Sequence, residues 1–177
     1  MKDLMLDIET MGVNPNAVVI QLAAVWFDIQ TGEVFDTFCV NIDEEDAVKE
    51  GFTVCESTKK WWGQQKPEIL AGIRKDTVLV KDAITDFATF LKKGGEDYRI
   101  WSHATFDYPI VANYLRQYVG TRRFNYKNAR DIRTLVDLSG LDQDGFSWVK
   151  KTHNALDDCL FQIEYCHDAY TSLYKRN

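Results

Sequence analysis

The sequence contains no apolar run that approaches membrane-spanning length, and no signal peptide precedes its first apolar strand. It also lacks internal repeats, low-complexity segments and linkers. We therefore expect a soluble, cytoplasmic protein that makes no contact with a membrane. A chain of 177 residues most often forms one domain with a sizeable core, so we predict a single domain over residues 1–177.

Cysteine is scarce and shows none of the spacings that mark metal or disulfide frameworks. Cys39, Cys55, Cys159 and Cys166 include no C-x-x-C pair. We expect free core thiols in a reducing compartment. Cys159 and Cys166 are spaced to share one face of a helix, so packing explains both.

Positive charge is not in excess. The chain has 21 Lys and Arg against 27 Asp and Glu, which gives a net charge of −6. This balance argues against a protein that coats nucleic acid through its overall field. It is compatible with an enzyme that binds only the end of a strand, because clustered metal-binding acids add negative charge that bound Mg²⁺ offsets locally.

A short apolar run near the start, Leu4–Thr10, carries two carboxylates and predicts a buried strand. Side chains alternate on a strand, so Asp7 and Glu9 share one face. Neighbouring buried acids repel each other and lose hydration. A divalent cation such as Mg²⁺ or Mn²⁺ is the usual means of neutralising such a pair. The alternative places both acids at a strand end that faces water, and this pair alone does not decide between the two.

Two further strands follow with short connections, over Val18–Phe27 and Val34–Val40, and predict an antiparallel meander. We interpret residues 43–56 as an irregular acidic surface loop. The other predicted elements are a helix at Trp61-Trp62, a helix after Pro67, a helix over Ala83–Leu91, a strand over Tyr98–His103, a helix over Phe106–Tyr118, a strand ending near Asn128–Thr134 and a last helix over Ala155–Leu173. Their order predicts an α/β domain with a mixed sheet.

Two later segments offer further acids. Asp107 lies where the fourth strand gives way to a helix, the place at which open α/β sheets bind ligands. A helix N-cap is the competing interpretation, which Pro109 in the first turn suits. In the third segment Asn154 is spaced to cap the last helix, which leaves His153 before it and Asp158 facing inward. The competing interpretations are a surface histidine and an aspartate that complements the helix dipole.

Considered together, the three segments favour chemistry over capping. Each offers a carboxylate at a strand end or helix start, and one adds a histidine with a neutral-pH character. Four carboxylates and one histidine suit two-metal phosphodiester hydrolysis. In that reaction one ion activates a water, a second stabilises the leaving oxygen and a base takes the proton.

The motifs Asp7-x-Glu9, Phe106-Asp107 and His153-x₄-Asp158 resemble the DEDDh group of 3′–5′ exonucleases, and they cover nearly the whole chain. Finer features, among them Trp61-Trp62, are most similar to the phage exonuclease A (exodeoxyribonuclease) branch and its small bacterial relatives. The resemblance implies a ribonuclease H-like fold, with a mixed five-stranded sheet of a three-strand antiparallel meander plus parallel strands, flanked by helices. One departure is His103, where many members have Asn, and it concerns substrate contact rather than the metal site.

The resemblance also implies a role for each position. The implied ligands of two Mg²⁺ or Mn²⁺ ions are Asp7, Glu9, Asp107 and Asp158, with Asp7 between the ions. His153 is the implied general base. The implied contacts of the 3′-terminal nucleotide are the backbone of Thr10, Met11 and Gly12, the side chain of Met11, Phe106 and His103.

Four other side chains keep two interpretations each. Trp61 and Trp62 either stack on unpaired bases or pack in the core, and packing is favoured for at least one of them. Arg130 and Arg133 either approach phosphates or form surface and structural salt bridges.

The leading hypothesis is an enzyme that removes nucleotides from the 3′ end of single-stranded nucleic acid, with DNA favoured, and releases 5′-mononucleotides. The alternative is an exoribonuclease of the ribonuclease T or oligoribonuclease kind. It stays open because many polar groups can contact the ribose 2′-OH, so no residue type in the sequence indicates RNA rather than DNA. A non-catalytic nucleic-acid-binding module is disfavoured, because all five catalytic positions are present. The expected partners are single-stranded DNA or RNA 3′ ends, and a homodimer is left open.

Overall fold

The computed structural model describes residues 2–120, 124–141 and 152–175. Its strands are β1 (Lys2–Thr10), β2 (Val19–Phe27), β3 (Val34–Asn41), β4 (Tyr98–Ser102) and β5 (Ala129–Asp131). Its helices are α1 (Glu44–Lys49), α2 (Glu56–Trp62), α3 (Pro67–Ile73), α4 (Val80–Lys92), α5 (Asp107–Tyr118), α6 (Ile132–Ser139) and α7 (Ala155–Lys175). No helix in these ranges combines the length and apolarity that a membrane crossing requires.

The strands form one five-stranded sheet in the order β3-β2-β1-β4-β5. β1 pairs antiparallel with β2, and β2 pairs antiparallel with β3, whereas β4 lies parallel to both β1 and β5. The predicted mixed sheet with an antiparallel meander is therefore confirmed. The apolar strand β1 occupies the centre, where both of its faces are covered.

Alternation along β1 divides the core into two parts. Leu4 and Leu6 belong to the larger cluster, which packs against α4 and α5. Met5 belongs to the smaller cluster on the opposite face, which packs against α6 and α7. Asp7 and Glu9 follow Met5 at spacings of two, so they project toward the face that α7 covers.

The structure corrects the interpretation of residues 43–56 as an irregular loop. Residues Glu44–Lys49 form α1, which begins where the Asp43 carboxylate accepts a hydrogen bond from the Asp46 N–H at 2.8 Å. The acids of its first turn complement the helix dipole, so an acidic stretch that resembles a solvated loop is a stable helix start. Of the six residues only Ala47 is buried, and the apolar periodicity is therefore too short to recognise.

The thiols are free, as predicted, but they are not all in the core. Cys159 and Cys166 are buried on α7. Cys39 is exposed and lies on the edge strand β3. Cys55 is only partly buried at the start of α2.

A buried acid near the start of β1 joins neighbouring parts of the sheet. The Asp3 carboxylate accepts two hydrogen bonds from the Arg99 guanidinium, both at 2.6 Å, and one from the Trp101 indole at 2.7 Å. A backbone N–H at Ile29, just after β2, lies 3.3 Å from the same carboxylate. Because Asp3 is fully buried, these partners replace the water that the charge has lost.

We expect Asp3→Asn to destabilise the protein by about 3 kcal/mol, because it leaves the Arg99 charge without its anion. Urea unfolding at pH 7, followed by tryptophan fluorescence, measures the difference. Asp36→Asn is the matched control, since it removes the ion pair with Lys93, in which both side chains are largely exposed. Equal effects of the two substitutions would contradict the importance of the buried network.

Candidate active site

A cleft of about 450 Å³ opens at the carboxyl ends of β1 and β4, between the start of α5 and the helices α6 and α7. This is the edge at which α/β sheets place their ligands. The polar side chains that line it are Asp7, Glu9, His103, Asp107, Arg133, His153, Asp158, Gln162 and Tyr165. The structure therefore brings all five sequence-predicted catalytic residues into one cleft.

The two acids of β1 are buried, and the interpretation that places them in water is wrong. Asp7 is 7% exposed and Glu9 is 8% exposed. Burial, followed by the nearby carboxylates of Asp7 and Asp158, raises the pKa of Glu9 from 4.5 to about 9. Within the described part of the chain, the causes that act on the pKa of Glu9 all raise it, and a bound divalent cation would oppose them.

Asp107 is the first residue of α5, and the N-cap position belongs to Phe106, which makes no side-chain capping bond. The Asp107 carboxylate turns back instead and accepts the backbone N–H of His103 at 2.9 Å. Burial raises the pKa of Asp107 to about 8, although the His103 N–H and the Arg133 charge oppose the rise. Asp107 is therefore a buried acid that faces the cleft rather than a helix cap.

Capping by Asn154 places the residues of the third segment. Its side chain accepts from the N–H groups of Leu156 at 3.1 Å and Asp157 at 3.3 Å, which starts α7 as predicted. Asp157 is exposed, whereas Asp158 turns inward and lines the cleft. Of the two adjacent acids, the one that the capping spacing predicts to face inward is therefore the one that lines the cleft.

His153 precedes this helix with a backbone φ of 48°, a left-handed conformation that is uncommon for residues other than glycine. Its ring lies edge-on to Trp61, with centroids 4.9 Å apart and planes at 85°. A second edge contact joins it to Trp62 at 6.2 Å. Two indoles therefore hold the imidazole beside the acids, which excludes the interpretation as a surface histidine.

The cleft contains two groups of candidate metal ligands. Within each group, one ligand atom of every member lies within 4.8 Å of the others. The first group is Asp7, His103 and Asp107, and the second is Glu9, His153 and Asp158. Carboxylate oxygens and imidazole nitrogens suit divalent cations, and buried acids with raised pKa values fit such ions on electrostatic grounds.

Gln162 is a site residue that the sequence argument missed. Its amide Nε2 donates to Asp7 Oδ1 at 2.7 Å, and its Oε1 finds no hydrogen-bond partner among the described residues although the residue is buried. It lies four residues after Asp158 and thus on the same face of α7. This four-residue spacing was the available signal, but a glutamine in a helix does not by itself indicate a functional role.

Arg130 and Arg133 make different contacts. Arg130 donates to the backbone carbonyls of Lys127 at 3.0 Å and Ala129 at 2.8 Å, which is a structural contact. Arg133 lines the cleft from α6, and its charge lowers the pKa of Asp107. Of the pair, Arg133 is the one in position to meet an anion.

The two tryptophans of α2 also differ in their surroundings. Trp62 is 3% exposed and donates its indole N–H to the Thr10 carbonyl at 2.9 Å, so it packs in the core as expected for one of the pair. Trp61 is 39% exposed and lines both the main cleft and an adjoining cleft of about 410 Å³. Phe106 also lines both clefts, and Thr10 lines the adjoining one.

The structure does not support the predicted contact between the Met11 side chain and a terminal base. Met11 is 2% exposed and belongs to the larger core. Its backbone is also engaged, because its N–H donates to Val18 at 2.8 Å and its carbonyl accepts from Cys55 at 2.7 Å. Gly12 is buried as well, and a Cβ there would lie 3.1 Å from the Ala17 Cβ, so packing explains this glycine.

Comparisons with known proteins agree with this geometry. A family model described as a 3′–5′ exoribonuclease Rv2179c-like domain matches residues 2–170. The exodeoxyribonuclease of Enterobacteria phage T4 is 28% identical over 173 residues, which covers 81% of this chain and 74% of the phage protein.

Solved structures show the same fold. E. coli Exonuclease I in complex with a dA16 oligonucleotide has a TM-score of 0.71 at 14% identity, and the match covers 98% of this chain and 42% of that chain. A zinc-bound form of the E. coli Exonuclease I complex with single-stranded DNA has a TM-score of 0.65 at 13% identity, with 99% and 41% covered. The chain thus spans less than half the length of that protein. The likeness shows a shared ribonuclease H-like fold.

The raised pKa of Glu9 predicts a stability that falls as pH rises. Between its ordinary value of 4.5 and about 9, the folded chain holds the Glu9 proton more tightly than the unfolded chain does. The metal-free protein is therefore expected to lose stability from about pH 5 to pH 9. Glu9→Gln removes the part of this loss that Glu9 causes, whereas the raised pKa of Asp107 leaves a smaller pH dependence in the variant. We expect Glu9→Gln to raise Tm at pH 8 by about 5 °C while changing little at pH 5.

Thermal melts in EDTA across this pH range measure the effect. Asp157→Asn is the control, because that side chain is exposed one residue before Asp158, and it should leave the pH dependence as in the wild type. Added Mg²⁺ should stabilise the wild type more than Glu9→Gln. A Glu9→Gln variant with the same pH dependence as the wild type would contradict the assignment of a buried, protonated acid.

Proposed function

This chain belongs to the 3′–5′ exoribonuclease Rv2179c-like family within the DEDDh exonuclease superfamily, and we propose that it is a metal-dependent 3′–5′ exonuclease. It hydrolyses single-stranded nucleic acid from the 3′ end and releases 5′-mononucleotides. One observation carries the proposal: Asp7, Glu9, Asp107 and Asp158, from three separate segments, meet His153 in one cleft. A binding module without catalysis has no need of three buried acids and a half-buried fourth that repel each other.

Asp7, Glu9, Asp107 and Asp158 would hold two divalent cations, Mg²⁺ or Mn²⁺, which would supply activation of a water and stabilisation of the leaving oxygen. His153 takes the proton of the attacking water. Its ring is held by the edge contact with Trp61, so the base is oriented before substrate arrives.

Substrate is held by local contacts, because the net charge of −6 offers no general attraction to nucleic acid. Trp61 and Phe106 border both clefts and present aromatic surface on which the last bases stack. Arg133 contacts the phosphate next to the acids. A chain end reaches this narrow pair of clefts more readily than an uninterrupted strand does.

We propose single-stranded DNA as the preferred substrate. The phage T4 relative is an exodeoxyribonuclease, and E. coli Exonuclease I has been seen with a dA16 oligonucleotide. The second candidate is a 3′–5′ exoribonuclease, which the description of the matching family favours.

Both candidates are tested with 5′-labelled single-stranded DNA and RNA of one sequence, in Mg²⁺ or Mn²⁺ and in EDTA. We expect a ladder that shortens from the 3′ end, is abolished by EDTA and forms faster on DNA. Asp7→Ala should abolish it with an unchanged circular dichroism spectrum, because Asp7 is central to the ligand set. Faster RNA cleavage would select the second candidate, and no cleavage of either polymer would refute an exonuclease.

His153→Ala should lower turnover by roughly 10²- to 10⁴-fold, the usual loss of a general base, while largely retaining metal binding. Single-turnover rates and metal titration measure the two effects. His167→Ala is the control, since that ring bonds the Ile29 carbonyl at 3.0 Å away from the cleft. An unchanged rate in His153→Ala would assign the proton to another group.

A further inference from the structure

His103 meets the acids of the cleft from a rigid turn. Its backbone N–H donates to the Asp107 carboxylate at 2.9 Å, and its carbonyl accepts the N–H groups of Phe106 at 2.8 Å and Asp107 at 3.1 Å. Both backbone groups of His103 are therefore fixed at the junction of β4 and α5. The side chain is 23% exposed, so it is neither sealed in the core nor free to swing into solvent.

The spacing of its ring matches a ligand set. The His103 Nδ1 lies 3.8 Å from Asp107 Oδ2, which is longer than a hydrogen bond. Two atoms that bind one ion at about 2.1 Å each lie roughly 3.0 to 4.2 Å apart, depending on the angle between them. Asp7 is the third member of this group: one ligand atom from each of Asp7, His103 and Asp107 lies within 4.8 Å of the other two.

The third corner of this arrangement is oriented independently. Gln162 donates to Asp7 Oδ1 at 2.7 Å and thereby fixes the rotation of that carboxylate. The Oε1 of the same buried amide lacks a hydrogen-bond partner among the described residues, and the residue lines the cleft. An unsatisfied buried acceptor beside three candidate ligands is consistent with an ordered ion and its water ligands.

We propose that His103 is a nitrogen ligand of the cation that Asp7 and Asp107 hold, and that it makes this position prefer Mn²⁺ to Mg²⁺. Mg²⁺ takes oxygen ligands almost exclusively, whereas imidazole binds first-row transition ions well. The inference rests on the proposed function only for the presence of a divalent ion in the cleft. It assigns to the ring a role in ion choice, where the sequence had indicated contact with substrate.

The test uses the three histidines of the chain, His103, His153 and His167. Each is replaced by Asn, which removes the imidazole nitrogens and keeps a side-chain oxygen. Mn²⁺ and Mg²⁺ affinities are measured by calorimetry, and nitrogen bound to Mn²⁺ is detected by pulsed electron paramagnetic resonance. We expect His103→Asn to lower the ratio of Mn²⁺ to Mg²⁺ affinity by about tenfold or more.

We expect nitrogen coupling in the wild type, in His153→Asn and in His167→Asn, and no coupling in His103→Asn. Wild-type protein with ¹⁵N-labelled histidine confirms that the nitrogen is imidazole. Coupling in the double variant His153→Asn with His167→Asn identifies His103 even if His103→Asn does not fold. An absence of coupling in the wild type, or its loss only in His153→Asn, would overturn the proposal.

These readouts do not depend on nuclease activity. A protein that binds Mn²⁺ through His103 but degrades neither polymer would refute the proposed function and leave this inference intact. The inference alone would be refuted if the protein degrades DNA and the ratio of Mn²⁺ to Mg²⁺ affinity is the same in the wild type and in His103→Asn.

Discussion

Mutual repulsion among buried carboxylates is the constraint on which the rest of this structure depends. Asp7 and Glu9 project from the central strand into a face that α7 covers, and Asp107 and Asp158 approach them from the starts of two helices. Burial alone would protonate several of them, as the raised pKa values of Glu9 and Asp107 indicate. A bound divalent cation would reverse that tendency, so the charges of the site favour an ion even without substrate.

Rigid local structure keeps the acids in place against that repulsion. Asn154 starts α7 so that Asp158 turns inward, and the turn at His103 holds the Asp107 carboxylate by a backbone N–H. Gln162 does the same for Asp7 through its side-chain amide. Asp107 and Asp7 therefore each accept a hydrogen bond from an uncharged donor, and Asp158 is placed by the start of its own helix.

Strand alternation and short-range capping spacings made the positions of several acids in the cleft predictable from the sequence. Alternation placed Asp7 and Glu9 on one face, and the capping spacing of Asn154 selected Asp158 over Asp157. Contacts between distant segments were not predictable in this way: Gln162 reaches Asp7 across 155 positions, and no local pattern records that approach. The burial of Met11 was missed for the same reason, because the residues that cover it belong to other elements of the larger core.

The central strand has two ends with different sources of counter-charge. Asp3 is neutralised by Arg99, a partner that the chain carries with it. In the proposed function, the counter-charge of Asp7 and Glu9 would come from divalent ions bound from solution. When such ions are scarce, we therefore expect catalysis to be lost before the fold is lost. The metal-free chain is expected to stay folded and to regain activity when the ion binds again.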